Sequence, residues 1–119
     1  MSQENNPLGN IEVSPSAIAT IASQAVLRTY GVVGMASKNM MNGLANRLTH
    51  DPRYGVTVVL SEAGISIDLY IIVEYGTRIS SVAASVANAV RFQVEKALGM
   101  PIGDVNVHVQ GLRVSQADS

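Results

Sequence analysis

The chain contains no cysteine, so it can form no disulfide and offers no thiolate to a metal or a substrate. Charge is also scarce. Acidic and basic residues make up 14% of the 119 positions, against about 25% in average usage. With a net charge of −1, no overall field draws the chain to nucleic acid or anionic lipid. A surface so poor in ionic groups is expected of a protein that covers part of itself with a partner or a second copy. No uncharged apolar run reaches the roughly 18 residues that a membrane-spanning helix needs. The opening MSQENNPLG has no basic segment followed by an apolar one, so no signal peptide is predicted and a cytoplasmic location is expected. The length suits one domain with a real core.

What is present is a strong period-2 pattern over Gly55–Tyr75, GVTVVLSEAGISIDLYIIVEY. Ile65, Ile67, Leu69, Ile71 and Val73 share one face, and Ser66, Asp68, Tyr70, Ile72 and Glu74 the other, as in a half-buried strand. Val56, Val58 and Leu60 repeat the pattern, and Glu62-Ala63-Gly64 between the two runs predicts an antiparallel hairpin.

Around this hairpin the other elements follow in order. Residues 1–8 are polar and read as a tail; residues 9–114 read as one domain and 115–119 as a second tail. The alternation in GNIEVS predicts a short strand over 9–14. Ser14-Pro15 then opens a helix, with Ser14 as N-cap and Pro15 at the first helical position. Its stripe is Ile18, Ile21, Ala22, Ala25 and Val26, running to about Tyr30, and Gly31 is a plausible left-handed cap. Gly31–Met35 reads as a linker. A weaker helix is predicted over 37–50, with Met40, Met41, Leu44 and Leu48 on one face. The clearest helix spans Thr77–Leu98, where Ile79, Val82, Val86, Val90, Val94 and Leu98 recur at helical spacing before Gly99 and Pro101 stop it. Val105–Leu112 alternates again, with Asn106, His108 and Gln110 outward. The expected fold class is α+β. It is a two-layer β-α-β-β-α-β sandwich, with two main helices on one face of a four-stranded mixed sheet and Ile65–Tyr75 near its centre.

No catalytic, cofactor or metal motif emerges from the residues. Gly31-Val32-Val33-Gly34 matches the G-x-x-G of nucleic-acid-clamping loops, but a valine pair buries, so a packed connection is expected. His108, Asp68, Glu74 and Glu12 all take outward strand positions without ligand spacing, which reads as a solvated face. Asp68 and Glu74 are roughly 20 Å apart by strand rise, too far for paired acid–base work. The segment Met40–Leu48 is mildly basic and amphipathic, suited to a membrane surface or a groove on a partner, but a short flap capping the protein's own core is the expected reading. Val59, Tyr70 and Ile72 are apolar positions on the polar face of the hairpin and form the leading candidate interface, followed by Met40, Met41, Leu44 and Leu48.

Several stretches together resemble the Asp/Gls alkaline shock protein family, the envelope stress response family of Gram-positive bacteria. They are GNIEVSP from Gly9 with Ile18 and Ile21-Ala22, GVVGM from Gly31, GVTV from Gly55, DLYIIV from Asp68, Tyr75-Gly76 with Ile79, and VNVHVQGL from Val105. The resemblance implies a small cytoplasmic, non-enzymatic protein of cell-envelope and alkaline-stress homeostasis, without cofactor, that self-assembles into a homo-oligomer. As partners it implies a membrane-anchor protein or a fatty-acid-kinase-like protein, with the membrane reached only indirectly. The runner-up reading is a nucleic-acid-binding module of split β-α-β or KH-like type. The outward set has no Lys or Arg and carries carboxylates that repel phosphate, so no nucleic acid is expected as partner.

Overall fold

Eleven residues of alternating β-branched sequence form the spine of the molecule. The computed structural model describes residues 14–36 and 55–114. Within them helix α1 (Pro15–Leu27) precedes strands β1 (Val32–Met35), β2 (Val56–Ser61) and β3 (Gly64–Glu74), and then come helix α2 (Ile79–Leu98) and strand β4 (Val105–Arg113). The fold is α+β, a two-layer arrangement with a four-stranded mixed sheet. β3 is its centre, as the alternation predicts. β4 runs parallel along one edge of β3, paired from Ile67↔Val105 to Glu74↔Arg113. β2 and β1 lie antiparallel along the other edge, β2 beside residues 64–69 and β1 beside residues 71–73.

Both helices cover one face of this sheet. Ile67, Leu69, Ile71 and Val73 point into a core that also holds Ile18, Ala22, Ala25 and Val26 of α1, and Val82, Val86, Val90 and Val94 of α2. The α1 stripe is rich in alanine, and small side chains let the helix backbone approach the sheet closely. Ser14 caps α1 as expected, its hydroxyl accepting from the Ala17 amide at 3.1 Å with Pro15 at the first position. Gly99 ends α2 in the left-handed region, φ 74°.

Three expectations change. Gly31–Met35 is not a linker, because Val32–Met35 pairs with β3 as β1. Four residues with two glycines nearby give no period to read, and the strand exists because β3 offers it an open edge. The helix α1 stops at Leu27 rather than near Tyr30, and Gly31 (φ 96°) serves the turn into β1, where an added Cβ would meet Val82 at 2.7 Å. At the start of α2, Ile79 is exposed rather than part of the buried stripe. The strand expected over 9–14 and the helix expected over 37–50 lie outside the described residues, apart from Ser14.

Candidate functional site

The outer face of the sheet carries the residues singled out from the sequence. Asp68 and Tyr70 of β3 face Asn106 and His108 of β4 across the parallel ladder. His108 stacks on the Tyr70 ring, centroids 4.6 Å apart and planes within 13°. Its Nε2 lies 3.1 Å from Asp68 Oδ1. An ionised carboxylate only accepts, so that nitrogen donates and the ring orientation is fixed from its edge and its face together. Three side chains on two rigid strands thus form a small polar–aromatic patch. Glu74 stands apart from it, paired in register with Arg113, and Glu12 lies outside the described residues. Among the described residues no three potential ligands gather as a metal site.

The candidate interface Val59, Tyr70, Ile72 does not form one patch. Val59 faces Ser66, so the Thr57–Asp68 pair separates it from Tyr70. Ile72 is on the outer face by alternation but is only 2% exposed, and lies outside the helix-side core cluster. Its ladder neighbours are Gly34 and Gly111, and along β3 it sits between the longer Tyr70 and Glu74. Alternation assigns a side chain to a face; it is silent on whether that face is covered. Val59 remains 47% exposed and Tyr70 half-buried. Met40, Met41, Leu44 and Leu48 lie outside the described residues.

A model of the alkaline shock protein 23 family, described as having a cell envelope-related function, matches residues 3–114. The chain belongs to this family. It is 39% identical to the uncharacterized protein YloU of Bacillus subtilis (strain 168) over 109 residues, 90% of this chain and 91% of that one. It is 38% identical to the uncharacterized protein Spy1614 of Streptococcus pyogenes serotype M6 (strain ATCC BAA-946 / MGAS10394) over 112 residues, 92% and 93% of the two chains. Among solved structures it is similar to a nickel form of a MamM CTD variant, with a TM-score of 0.48 and 17% identity over 80% of this chain and 95% of that one.

In this member of the alkaline shock protein family the described aromatic residues stay out of the core cluster, which the alternation and helical period do not announce. Four of the five aromatic residues are among the described ones, and none of the four joins the core cluster. Tyr30 is 84% exposed, Tyr75 66% and Phe92 61%. The signal for this lies in the sequence. Tyr30 and Tyr75 each precede a glycine at the end of an element, and Phe92 falls between the valines of the α2 stripe, on its far side. No helix among the described residues is long and apolar enough to cross a membrane.

Proposed function

We propose that this chain is a non-enzymatic binding and scaffold module of the cell envelope, acting through protein–protein contacts that include self-association. One observation carries the reading: the protein keeps all four described aromatic side chains out of its core cluster, which is built from aliphatic residues alone. Aromatic side chains bring the most apolar area to a core, and exposed ones are characteristic of surfaces that meet a partner. Scarce charge elsewhere leaves those surfaces little ionic protection against association. The cell envelope-related description of the family fits such a role. Cytoplasmic residence, contact with the membrane through an anchoring partner, and a part in alkaline stress belong to the same proposal.

Tyr30→Ser with Tyr75→Ser tests it. Neither side chain is in the core cluster, so the thermal midpoint should stay within roughly 4 °C of the original, the effect of about 1 kcal/mol. The unaltered chain is expected to form higher-order species in sedimentation velocity, and the same pair should remove them. An unaltered chain that stays monomeric while binding single-stranded RNA or DNA below micromolar concentration near physiological salt would overturn the reading.

A further inference from the structure

The two helices run antiparallel over the sheet. Helix α1 leads into β1, whose Val32 pairs with Val73, and α2 begins just after β3 ends, so the end of α1 and the start of α2 share one end of the sheet. Tyr30 and Arg78 accordingly line one cleft there. Side chains on a helix lean toward its own N-terminus. Arg28, the C-cap of α1, and Lys96, in the last turn of α2, therefore lean toward each other along the seam between the helices. Both line a second cleft, of about 370 Å³, together with Gln24, Gln93, Ile21 and Ala25. Ala25 is buried and Ile21 half-buried, which gives this cleft an apolar floor.

A cation near the C-terminal end of a helix is drawn there by the helix dipole. That accounts for one cation on each helix, but not for two on one cleft with no carboxylate between them. Glu95 is the one carboxylate in the two helices, and it turns the other way, to Arg91 and the Ile102 amide. The other described carboxylates, Glu62, Asp68, Glu74 and Asp104, belong to the strands and the loops that serve them. Lys96 lies over the Phe92 ring, 5.8 Å from its centroid. Among the described residues, the side chains of Arg28, Lys96, Gln24 and Gln93 make no hydrogen bond and no ion pair. Two cations and two amides thus converge on one cleft with their polar atoms uncommitted.

We propose that this cleft binds a small organic phosphate, its phosphate held between Arg28 and Lys96 and its polar body against Gln24 and Gln93. A phosphate monoester carries about −1.5 to −2 at pH 7, which matches two cations where a carboxylate matches one. The guanidinium can grip two phosphate oxygens at once, and the ammonium follows as a mobile point charge. A primary amide both donates and accepts, so the glutamines suit a body with hydroxyls or ring nitrogens. Ile21 and Ala25 give that body an apolar surface to lie on. The volume is at the lower end of the roughly 300–1,000 Å³ of small-molecule sites. The inference goes beyond the contact reading above and does not rest on it.

Backbone amide NMR of the full chain, titrated with adenosine monophosphate and separately with ribose phosphate, tests it. At least one of the two should shift the amides around Gln24, Arg28, Gln93 and Lys96, with a dissociation constant of about 1 mM or below. Inorganic phosphate and adenosine should each bind about tenfold more weakly than the better probe, because each fills half of the site. Arg28→Gln and Lys96→Gln, both at exposed positions, should each weaken binding about tenfold. Gln24→Glu leaves both cations in place but adds a carboxylate to the cleft, and should weaken binding as much. Arg78→Gln removes a cation outside the cleft and should leave binding unchanged. The amide spectrum of each variant shows that it is folded. The proposal is overturned if neither probe shifts the cleft residues, if inorganic phosphate binds as tightly as both probes, or if Arg78→Gln weakens binding as much as Arg28→Gln. Each of those results leaves the self-association reading standing, since sedimentation velocity tests that separately.

Discussion

At the scale of single residues, the side chain that does most outside the core is Arg91. It projects from α2 and donates to the Ile102 carbonyl at 3.2 Å and the Gly103 carbonyl at 2.9 Å. Glu95, one turn on, accepts from the Ile102 amide at 2.9 Å and lies 3.5 Å from Arg91. The two charges tie the α2–β4 connection to the helix. That connection in turn meets the sheet, where the Gly103 amide donates to the Ile65 carbonyl at 2.7 Å. Hydrogen bonds to charged groups contribute about 1.5–3 kcal/mol each when buried, and less here because the Arg91 side chain is partly exposed. Arg91→Met is expected to cost about 1–2 kcal/mol, and Glu95→Gln less, since an amide oxygen still accepts from Ile102. Thermal melts would read this as a lowered midpoint for the first variant and a smaller drop for the second; equal midpoints for Arg91→Met and the unaltered chain would refute it. The helical period puts Arg91 and Glu95 away from the buried stripe and tells nothing more of them. Their partners are backbone groups 7 to 12 residues away, and a bond to a carbonyl or amide leaves no mark on side-chain pattern. Ile72 shows the same limit from the other side: its face is legible in the alternation, its cover is not.

At the scale of elements, what can be read from sequence is what carries its own period or punctuation. The Ser14-Pro15 start, the Gly99 stop and the alternation of β3 depend on neighbours a few residues away. β1 depends on β3 instead, and so leaves no signal of its own. The residue after β1 and the residue before β2 both meet a single residue of β3. The Ala36 amide donates to the Tyr70 carbonyl, and the Tyr70 amide donates to the Gly55 carbonyl, both at 2.8 Å. This close approach needs a glycine. Gly55 has φ 86°, and an added Cβ would stand 2.6 Å from the Ala36 carbonyl oxygen and 3.2 Å from that of Tyr70. Both are backbone atoms that cannot turn aside. Gly99 also has a left-handed φ, but no described atom lies within 4 Å of its added Cβ. Gly99→Ala should therefore cost about 1 kcal/mol for the backbone conformation alone, whereas Gly55→Ala should cost about 2–4 kcal/mol. Denaturant titrations of the two variants give the comparison, and a Gly55→Ala cost no larger than that of Gly99→Ala would mean the two segments do not meet as closely as described.

At the scale of the whole molecule, β3 joins everything else. It is hydrogen-bonded on both edges through its middle, and its inner face meets both helices. β2 and β4 have described strand neighbours on one side only. A strand in the position of β3 can open only when both neighbours and the helix layer let go together, so its local opening is as costly as global unfolding. It also runs the length of the sheet, from the β2–β3 turn to the turn before α2. Amide hydrogen exchange followed residue by residue should then rank Ile67 to Val73 slowest, at the rate set by global stability, with β2 and the Arg113 end of β4 exchanging faster. The ranking separates two pictures of the protein. If β3 is the last element to open, the sheet and the helix layer behave as one body, and a substitution on the surface of one leaves the protection of the other unchanged. If the helices stay protected while β3 exchanges freely, the sheet is the soft layer, and β3 opens locally without the helices.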